Sequence, residues 1–297
     1  MVRAYGTFLV LLGAGAWGAL GVLATGIYEH GLQPLDVVTS RVVVAWLGFA
    51  IVSAVTGRGR SILSKSGWRG LAIHGLVAVV LYNLLYFAAI EQLGVSLSVA
   101  LLYTAPAWSA MLSALFLGER PGKAALLAVP LCVIGVALAV GVLTDGIYIE
   151  LLGFAAGLGA GLTYALFSVL GKPILDRWAP IDLLFVSFGV ASVCLLSLFT
   201  VTGGWARLAQ AGPESWTLLM IMGVFATFCA YMAYTTGLRW VDASKATILA
   251  TIEPAVAVTL ATLVTSETLG RVEFVGIILI IAAGTIAGLS RSRADAH

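Results

Sequence analysis

The chain has 297 residues, of which 61% are hydrophobic and only 10% are charged, and its mean hydropathy is +1.06. Such a chain has too little polar surface to enclose a water-soluble core, so we expect lipid to solvate most of its surface. The formal net charge of +2 is small and dispersed, without the basic cluster that a nucleic-acid partner requires.

Charge-free runs divide the chain into segments of membrane length. Eight stretches contain no Asp, Glu, Lys or Arg, and each approaches or exceeds the roughly 20 residues that cross a bilayer. They cover residues 4–28, 70–90, 92–118, 124–144, 151–171, 183–206, 215–238 and 274–290. Two further spans, 35–56 and 243–266, are interrupted by Arg41 and Glu253. Because the runs are continuous rather than alternating, the sequence predicts ten transmembrane helices and no barrel strands.

The N-terminal run has features of a secretory signal peptide, because Arg3 precedes an apolar stretch that contains Ala14-Gly15-Ala16. The stretch is too long and leads directly into further spans, so we interpret it as the first helix. With ten helices, 13 Lys and Arg residues share the side of both termini, and only Arg207 and Arg271 lie on the other side. The positive-inside rule therefore predicts that both termini lie in the cytoplasm. We expect the membrane to be the inner membrane of a bacterium.

The two halves of the chain are similar in sequence. Residues 68–119 align with residues 216–267 without gaps at an offset of 148, with 13 identities in 52 positions. Because each half has five helices, the second half must enter the bilayer upside down. We therefore expect an all-α membrane protein whose ten transmembrane helices form a 5+5 inverted-topology repeat, with one unit in residues 1–146 and the other in 147–297. Many secondary transporters build their binding site between such halves.

Aromatic and amide side chains inside the spans are candidates for the wall of a solute cavity. They are Trp17, Tyr82, Asn83, Tyr86, Tyr103, Tyr164, Tyr231 and Tyr234. In helix 3, Tyr82 and Tyr86 share one face with Asn83 beside them. The alternative is that these rings belong to interfacial belts or fill the core, although a tyrosine hydroxyl deep in a span needs a partner.

Two prolines and two charges inside spans are further candidates. Pro106 and Pro254 occupy equivalent positions in helices 4 and 9, where each is expected to kink its helix, either to open a cavity or as a static bend. Glu253 either serves ion coupling or braces the adjacent kink. A structural role is favoured because no relay of acids surrounds it, and the same two roles, coupling or structural, apply to Arg41.

Motifs for catalysis and cofactors give no support to an enzyme. Residues 13–18 fit GxGxxG literally, but they lie inside a run of lipid length rather than between a strand and a helix. Cys132, Cys194 and Cys229 have neither disulfide nor zinc spacing. The sequence contains no HExxH or GxSxG motif, so we predict no catalytic residue, no metal and no other cofactor.

A family resemblance rests on two related segments. Tyr103-Thr104-Ala105-Pro106 leads to Leu117-Gly118-Glu119-Arg120, and Ile252-Glu253-Pro254 leads to Glu267. Together with the 5+5 pattern, these segments resemble the EamA-type branch of the drug/metabolite transporter superfamily over nearly the whole chain. Within that branch the chain is most similar to YddG-type exporters of aromatic and other neutral amino acids.

The resemblance implies a central cavity lined mainly by helices 1, 3, 4, 6, 8 and 9 and worked by alternating access. It points to the aromatic candidates above and adds Ser244. Helix 1 lacks the buried glutamate on which small multidrug-resistance relatives depend for proton coupling, so that mechanism is not implied.

We therefore expect a transporter that exports amino acids, with a small solute and the lipid bilayer as its partners. A monomer is consistent with these features. Two alternatives stay open: an exporter of lipophilic drugs or other small metabolites, and a membrane scaffold that transports nothing. A carrier of sugar phosphates fits less well, because anionic solutes favour basic groups in the cavity and few are present.

Overall fold

The computed structural model of the protein describes residues 2–58, 67–119, 122–139, 150–265 and 270–289. Within these ranges every regular element is helical. Seven helices are long and apolar enough to cross a membrane: Val2–Tyr28, Pro34–Val55, Trp68–Leu93, Ser98–Leu117, Leu151–Leu175, Pro180–Val201 and Pro213–Leu238. The all-α prediction is therefore confirmed for the described residues.

Ten α-helical elements follow one another along the described chain, and several consist of consecutive segments. In the first half they are α1 (Val2–Trp17 and Leu20–Tyr28), α2 (Pro34–Val55), α3 (Trp68–Gly75, Leu76–Leu81 and Tyr82–Leu93), α4 (Val95–Leu102, Ala105–Leu112 and Ser113–Leu117) and α5 (Lys123–Ala139). In the second half they are α6 (Leu151–Leu175), α7 (Pro180–Val201), α8 (Pro213–Gly223, Val224–Cys229 and Ala230–Leu238), α9 (Ala243–Ala250 and Ile252–Thr265) and α10 (Arg271–Leu289). A short helix, Gly204–Ala209, lies between α7 and α8.

Two helix boundaries differ from those predicted from the charges. Glu91 was expected to separate two spans, but it belongs to α3, and the helix ends only before Gly94, whose φ is 77°. α7 was expected to extend to residue 206, but it ends at Val201 shortly before Gly203, whose φ is 75°. A charged side chain can reach the membrane surface from the last turn of a helix, whereas a left-handed glycine ends the helix itself.

The membrane prolines lie just after interruptions in α4 and α9. The preceding helical segments end at Leu102 and Ala250, each four residues before Pro106 or Pro254. A proline lacks the N–H that would bond to the carbonyl four residues earlier, and its ring clashes with that carbonyl. Each interruption therefore follows from the proline, which leaves the carbonyl of Leu102 or Ala250 without its usual intrahelical donor.

The repeat is visible in local backbone geometry as well as in sequence. α3 contains a π-helical turn at Leu76–Leu81 and α8 contains one at Val224–Cys229, so the two turns are 148 residues apart at both ends. Each follows a glycine at which a side chain would collide with a neighbouring helix. A Cβ at Gly75 would lie 2.6 Å from the Ser187 carbonyl oxygen, and one at Gly223 would lie 2.5 Å from a Val44 methyl group.

The two halves pack against each other along their whole length. The closest pairs join α1 to α8, α3 to α6, α2 to α7 and α5 to α10, and α4 contacts α9. In the repeat, α1 corresponds to α6 and α3 to α8, so the α1–α8 pair and the α3–α6 pair are equivalent. Each of the other pairs joins a helix to its own counterpart. The largest buried cluster contains side chains from both halves, among them Trp17, Phe49, Phe188 and Tyr234. The core of the bundle is therefore the interface between the repeats.

Ion pairs connect the halves near the first residues of α2 and α7. The Asp36 carboxylate of α2 accepts hydrogen bonds from Nε and Nη2 of Arg207, each at 2.7 Å. These bonds raise the pKa of Arg207 above its usual value. At the equivalent position of α7, Asp182 accepts a bond of 3.4 Å from Nη1 of Arg58. Each half thus supplies one aspartate and one arginine to pairs with the other half.

Candidate functional site

Trp17 is the centre of an aromatic cluster between the two halves. Its ring centroid lies 4.8 Å from that of Tyr231, 4.9 Å from that of Tyr234 and 6.3 Å from that of Tyr164. These separations fall in the range of attractive aromatic contacts. α1, α6 and α8 therefore meet through the side chains that the sequence singled out.

The cluster continues into α3 and α4 through Tyr164. Tyr82 lies 5.7 Å from Tyr164 between ring centroids, and Tyr103 lies 6.4 Å from it. Tyr86 stacks on Tyr82 at 6.0 Å with an angle of 10° between the ring planes. The structure thus brings all seven aromatic candidates into one connected group.

A small cavity lies within this cluster. In this conformation its volume is about 10 Å³, space for about one water molecule, and its walls are formed by Trp17, Ala78, Tyr82, Tyr164, Phe167, Ser168, Tyr231 and Tyr234. Sequence reasoning missed Phe167, whose ring meets Tyr231 edge to face at 5.3 Å, and Ser168. Ser168 lies one helical turn beyond Tyr164, so the i, i+4 spacing of polar groups could have identified it.

Hydrogen bonding inside the cavity is incomplete. The hydroxyls of Ser168 and Tyr234 bond to each other at 2.7 Å. Trp17 is only 5% exposed, and its indole Nε1 has no hydrogen-bond partner in the described part of the chain. A buried donor without an acceptor costs about 1–3 kcal/mol. The cavity therefore contains a donor that an acceptor on a solute can satisfy.

Arg41 brings a positive charge to one side of the cluster. It lies about two turns into α2, is 8% exposed, and donates from Nη2 to the Asn83 amide oxygen at 3.2 Å. Asn83 in turn donates to the Val79 carbonyl at 2.6 Å, which fixes the orientation of its amide. The guanidinium also approaches the Tyr231 hydroxyl. The two candidates Arg41 and Asn83 are thus parts of one arrangement, a link that the sequence did not indicate.

Glu253 brings a carboxylate to another side of the cluster. The residue follows the interruption of α9 and precedes Pro254, so it lies where the helix has just restarted. The Tyr164 hydroxyl donates to its carboxylate at 3.4 Å, and the Tyr103 hydroxyl also approaches it. The side chain therefore points toward the tyrosines, and its location beside the kink does not by itself account for this direction.

Ser244 occupies a different part of the bundle. It begins α9, and its hydroxyl donates to the Glu119 carboxylate at 3.1 Å. The same carboxylate accepts a bond of 2.9 Å from the Ala243 backbone N–H, so Glu119 satisfies the start of α9. The equivalent acid of the second half, Glu267, lies outside the described residues. The structure thus does not bring Ser244 to the aromatic cluster.

The arrangement as a whole suits binding rather than bond making. Among the described residues, no group of three or more His, Cys, Asp or Glu side chains is placed to hold a metal ion. The cavity instead offers aromatic faces and the unpartnered Trp17 donor, and the Arg41 guanidinium and the Glu253 carboxylate contact the surrounding cluster. Such a mixture can hold a small solute with an apolar body and polar ends.

Comparisons with known proteins identify a duplicated family of membrane transporters. The profile of the EamA-like transporter family matches residues 4–141 and again residues 151–288. The chain is similar to an uncharacterized transporter of Archaeoglobus fulgidus, with 34% identity over 73% of this chain and 74% of that protein. It is also similar to the uncharacterized transporter YwfM of Bacillus subtilis, with 24% identity over 93% of this chain and 90% of the relative.

Two further matches extend over almost the full length. The uncharacterized inner membrane transporter YicL of Salmonella typhimurium is 23% identical over 98% of each chain. One solved crystal structure superposes with a TM-score of 0.79 at 16% identity, covers 95% of this chain and 96% of its own, and supports the fold alone. The EamA-type resemblance and the two repeats are therefore confirmed, and the chain is a multi-pass membrane protein that belongs to the EamA-like transporter family.

Proposed function

We propose that the protein is a secondary transporter that exports amino acids, aromatic and other neutral ones, across the inner membrane by alternating access. The observation that carries this proposal is the convergence of aromatic side chains from both repeats on one cavity. Trp17 and Tyr82 come from the first half, and Tyr164, Tyr231 and Tyr234 come from the second. A cavity formed by both halves changes shape when one half rocks against the other.

The chemistry of the walls favours a solute with an apolar side chain. Aromatic faces stack on rings and aliphatic groups, while the hydroxyls of Ser168 and Tyr234 and the free Trp17 donor serve polar ends. We assign solute binding to the seven aromatic candidates with Asn83. The bond between Ser244 and Glu119 favours a structural role for that serine.

The proposed topology has ten spans in two inverted units, with both termini in the cytoplasm. Besides the seven long helices, α5, α9 and α10 complete the count. Contacts between loops support the assignment of loops to two sides. Arg58 meets Asp182, and both are predicted on the cytoplasmic side; His30 lies 3.4 Å from Glu214, and both are predicted on the opposite side.

Flux measurements on the purified protein in liposomes test the function. We expect saturable movement of tryptophan and threonine above that of empty vesicles, and loss of the saturable part in Tyr82→Ala, which removes a wall of the cavity. Tyr5→Ala is a matched control, because Tyr5 is 55% exposed at the start of α1, far along the chain from Trp17. Absence of flux for every amino acid would overturn the proposal, and competition by hydrophobic cations alone would favour export of lipophilic drugs instead.

A further inference from the structure

We propose that Arg41, Glu253 and the indole N–H of Trp17 form a clamp for a zwitterion. In this clamp the carboxylate of an α-amino acid binds the Arg41 guanidinium and the Trp17 N–H, and its ammonium group binds the Glu253 carboxylate. The clamp rests on the proposed function, since it assigns the atoms of the solute to side chains of the same site. The aromatic rings then surround the side chain of the amino acid.

The first support is that two opposite charges approach one cavity without pairing. Arg41 makes no ion pair with any carboxylate of the described residues, and Glu253 makes none with any described cation. Charged groups within a membrane domain are costly and are normally paired. The absence of an ion pair at Arg41 and at Glu253 is explained if a ligand supplies the counter-charge of each.

The donors of Arg41 give the second support. A guanidinium has five N–H donors in a planar fork, which matches a carboxylate in two parallel bonds. Asn83 accepts from Nη2, and Tyr231 is the other hydroxyl that the group approaches. Donors therefore remain for a solute, and the amide of Asn83, itself bonded to Val79, fixes the orientation of the fork.

Trp17 supplies the third and independent support. Its Nε1 is buried, unpartnered within the described ranges, and belongs to a side chain that lines the cavity. Aromatic packing alone would be served equally well by phenylalanine, which carries no donor to leave unsatisfied. An N–H in this position is explained by an acceptor that arrives with the solute.

The three groups of the clamp meet at neighbouring members of the aromatic cluster. Arg41 reaches the cluster beside Tyr231, and Glu253 reaches it beside Tyr164. The Trp17 ring contacts both of these tyrosines. A solute that carries both a negative and a positive group therefore supplies a counter-charge to each residue while its side chain lies against Trp17. A simple anion or a simple cation satisfies only one of them.

Three solutes of nearly equal size separate the contributions of the clamp. They are tryptophan, tryptamine, which lacks the carboxylate, and indole-3-propionate, which lacks the amine. In liposomes that contain the full chain, inhibition of tryptophan flux by each compound gives its apparent affinity. We expect Arg41→Gln to lower the apparent affinities for tryptophan and indole-3-propionate by about tenfold or more and to leave that for tryptamine unchanged. Glu253→Gln should lower the apparent affinities for tryptophan and tryptamine by a similar factor and leave that for indole-3-propionate unchanged.

Trp17→Phe tests the third group with the ring retained. Like Arg41→Gln, it should lower the apparent affinities for tryptophan and indole-3-propionate roughly tenfold and leave that for tryptamine unchanged. Trp46→Phe is the matched control, because Trp46 stacks on Phe185 outside the cavity and should leave all three affinities unchanged. Trp17→Phe removes no charge, so it can still refute the proposal if Arg41→Gln or Glu253→Gln fails to fold.

Two outcomes distinguish the clamp from the function on which it rests. If the wild-type protein moves tryptophan but the variants weaken all three solutes equally, the groups are structural and the clamp is wrong while the transporter assignment stands. If the wild-type protein moves no amino acid, the proposed function fails and the clamp fails with it. Reciprocal loss supports both: Arg41→Gln and Trp17→Phe then spare tryptamine, whereas Glu253→Gln spares indole-3-propionate.

Discussion

A pair of glycines in α1 allows a sharp test of how closely this helix must approach α8. A Cβ at Gly13 would lie 2.5 Å from the Ala230 carbonyl oxygen and 2.9 Å from the Tyr234 backbone nitrogen. At Gly15, a Cβ would meet no atom of another helix within 4 Å among the residues that the structure describes. Because real Cβ atoms essentially never come closer than 3.0 Å to another heavy atom, Gly13→Ala forces the two backbones apart by about 0.5 Å. Gly15→Ala adds the same methyl group to the same helix without a collision.

The expected magnitudes follow from these distances. Overpacking against rigid atoms costs about 1–3 kcal/mol, and both colliding atoms at Gly13 belong to backbone that cannot rotate away. In a bilayer the helix forms before the helices associate, so the usual gain of Gly→Ala in helix propensity contributes little at either site. We therefore expect Gly13→Ala to lower the unfolding free energy by about 1–3 kcal/mol and Gly15→Ala to change it by less than about 0.5 kcal/mol.

Thermal unfolding of the two variants in the same detergent measures the difference. Gly13→Ala should unfold at a lower temperature than the wild type, by several degrees, while Gly15→Ala should not differ from it. Gly13→Ala should also slow tryptophan flux, because Trp17 lies one turn further along α1 and its ring contacts would loosen. Equal melting temperatures for the two variants would refute the close approach of α1 and α8.

Three further predictions concern the ends of helices. Lys172 donates from Nζ to three carbonyl oxygens at and just beyond the end of α8, at 2.6–3.2 Å. Lys172→Met should therefore lower the free energy of unfolding by about 1.5–3 kcal/mol, and an unchanged melting temperature would contradict these bonds. Ser244→Ala should lower the free energy of unfolding by about 1 kcal/mol, because the bond to Glu119 is lost, and should leave the affinity for tryptophan unchanged. A large loss of affinity would place Ser244 in the solute site. In a cysteine-free background, Thr56→Cys should react with an impermeant maleimide only from the cytoplasm and Gln210→Cys only from outside, and the reverse would invert the topology.

The sequence predicted those features that depend on local patterns. Long apolar runs predicted helices, and the repeat predicted two similar halves, since both depend on the order of residues alone. Helices α4 and α9 stop four residues before Pro106 and Pro254, because a missing N–H acts within one turn. The tyrosines of the cluster were accessible for the same reason, because a hydroxyl deep inside a span needs a hydrogen-bond partner.

What the sequence did not predict depends on which helices meet. Arg41 and Asn83 are 42 residues apart, and Asp36 and Arg207 are 171 apart, so no local spacing relates them. The π-helical turns at Leu76–Leu81 and Val224–Cys229 lie in ordinary apolar sequence. The tyrosine contacts of Glu253 were not predicted for the same reason, since the kink is adjacent in sequence whereas the tyrosines come from α4 and α6.

The two ion pairs between the halves are equivalent by symmetry but unequal in geometry. Asp36 holds Arg207 with two bonds of 2.7 Å, whereas Asp182 holds Arg58 with one bond of 3.4 Å. In an inverted repeat, the opposite-facing state arises when the halves exchange their conformations. Under the proposed alternating access, the two-bond geometry and the one-bond geometry should therefore change places between the two membrane faces. In the opposite-facing state, Asp182 and Arg58 should thus adopt the geometry that Asp36 and Arg207 have here.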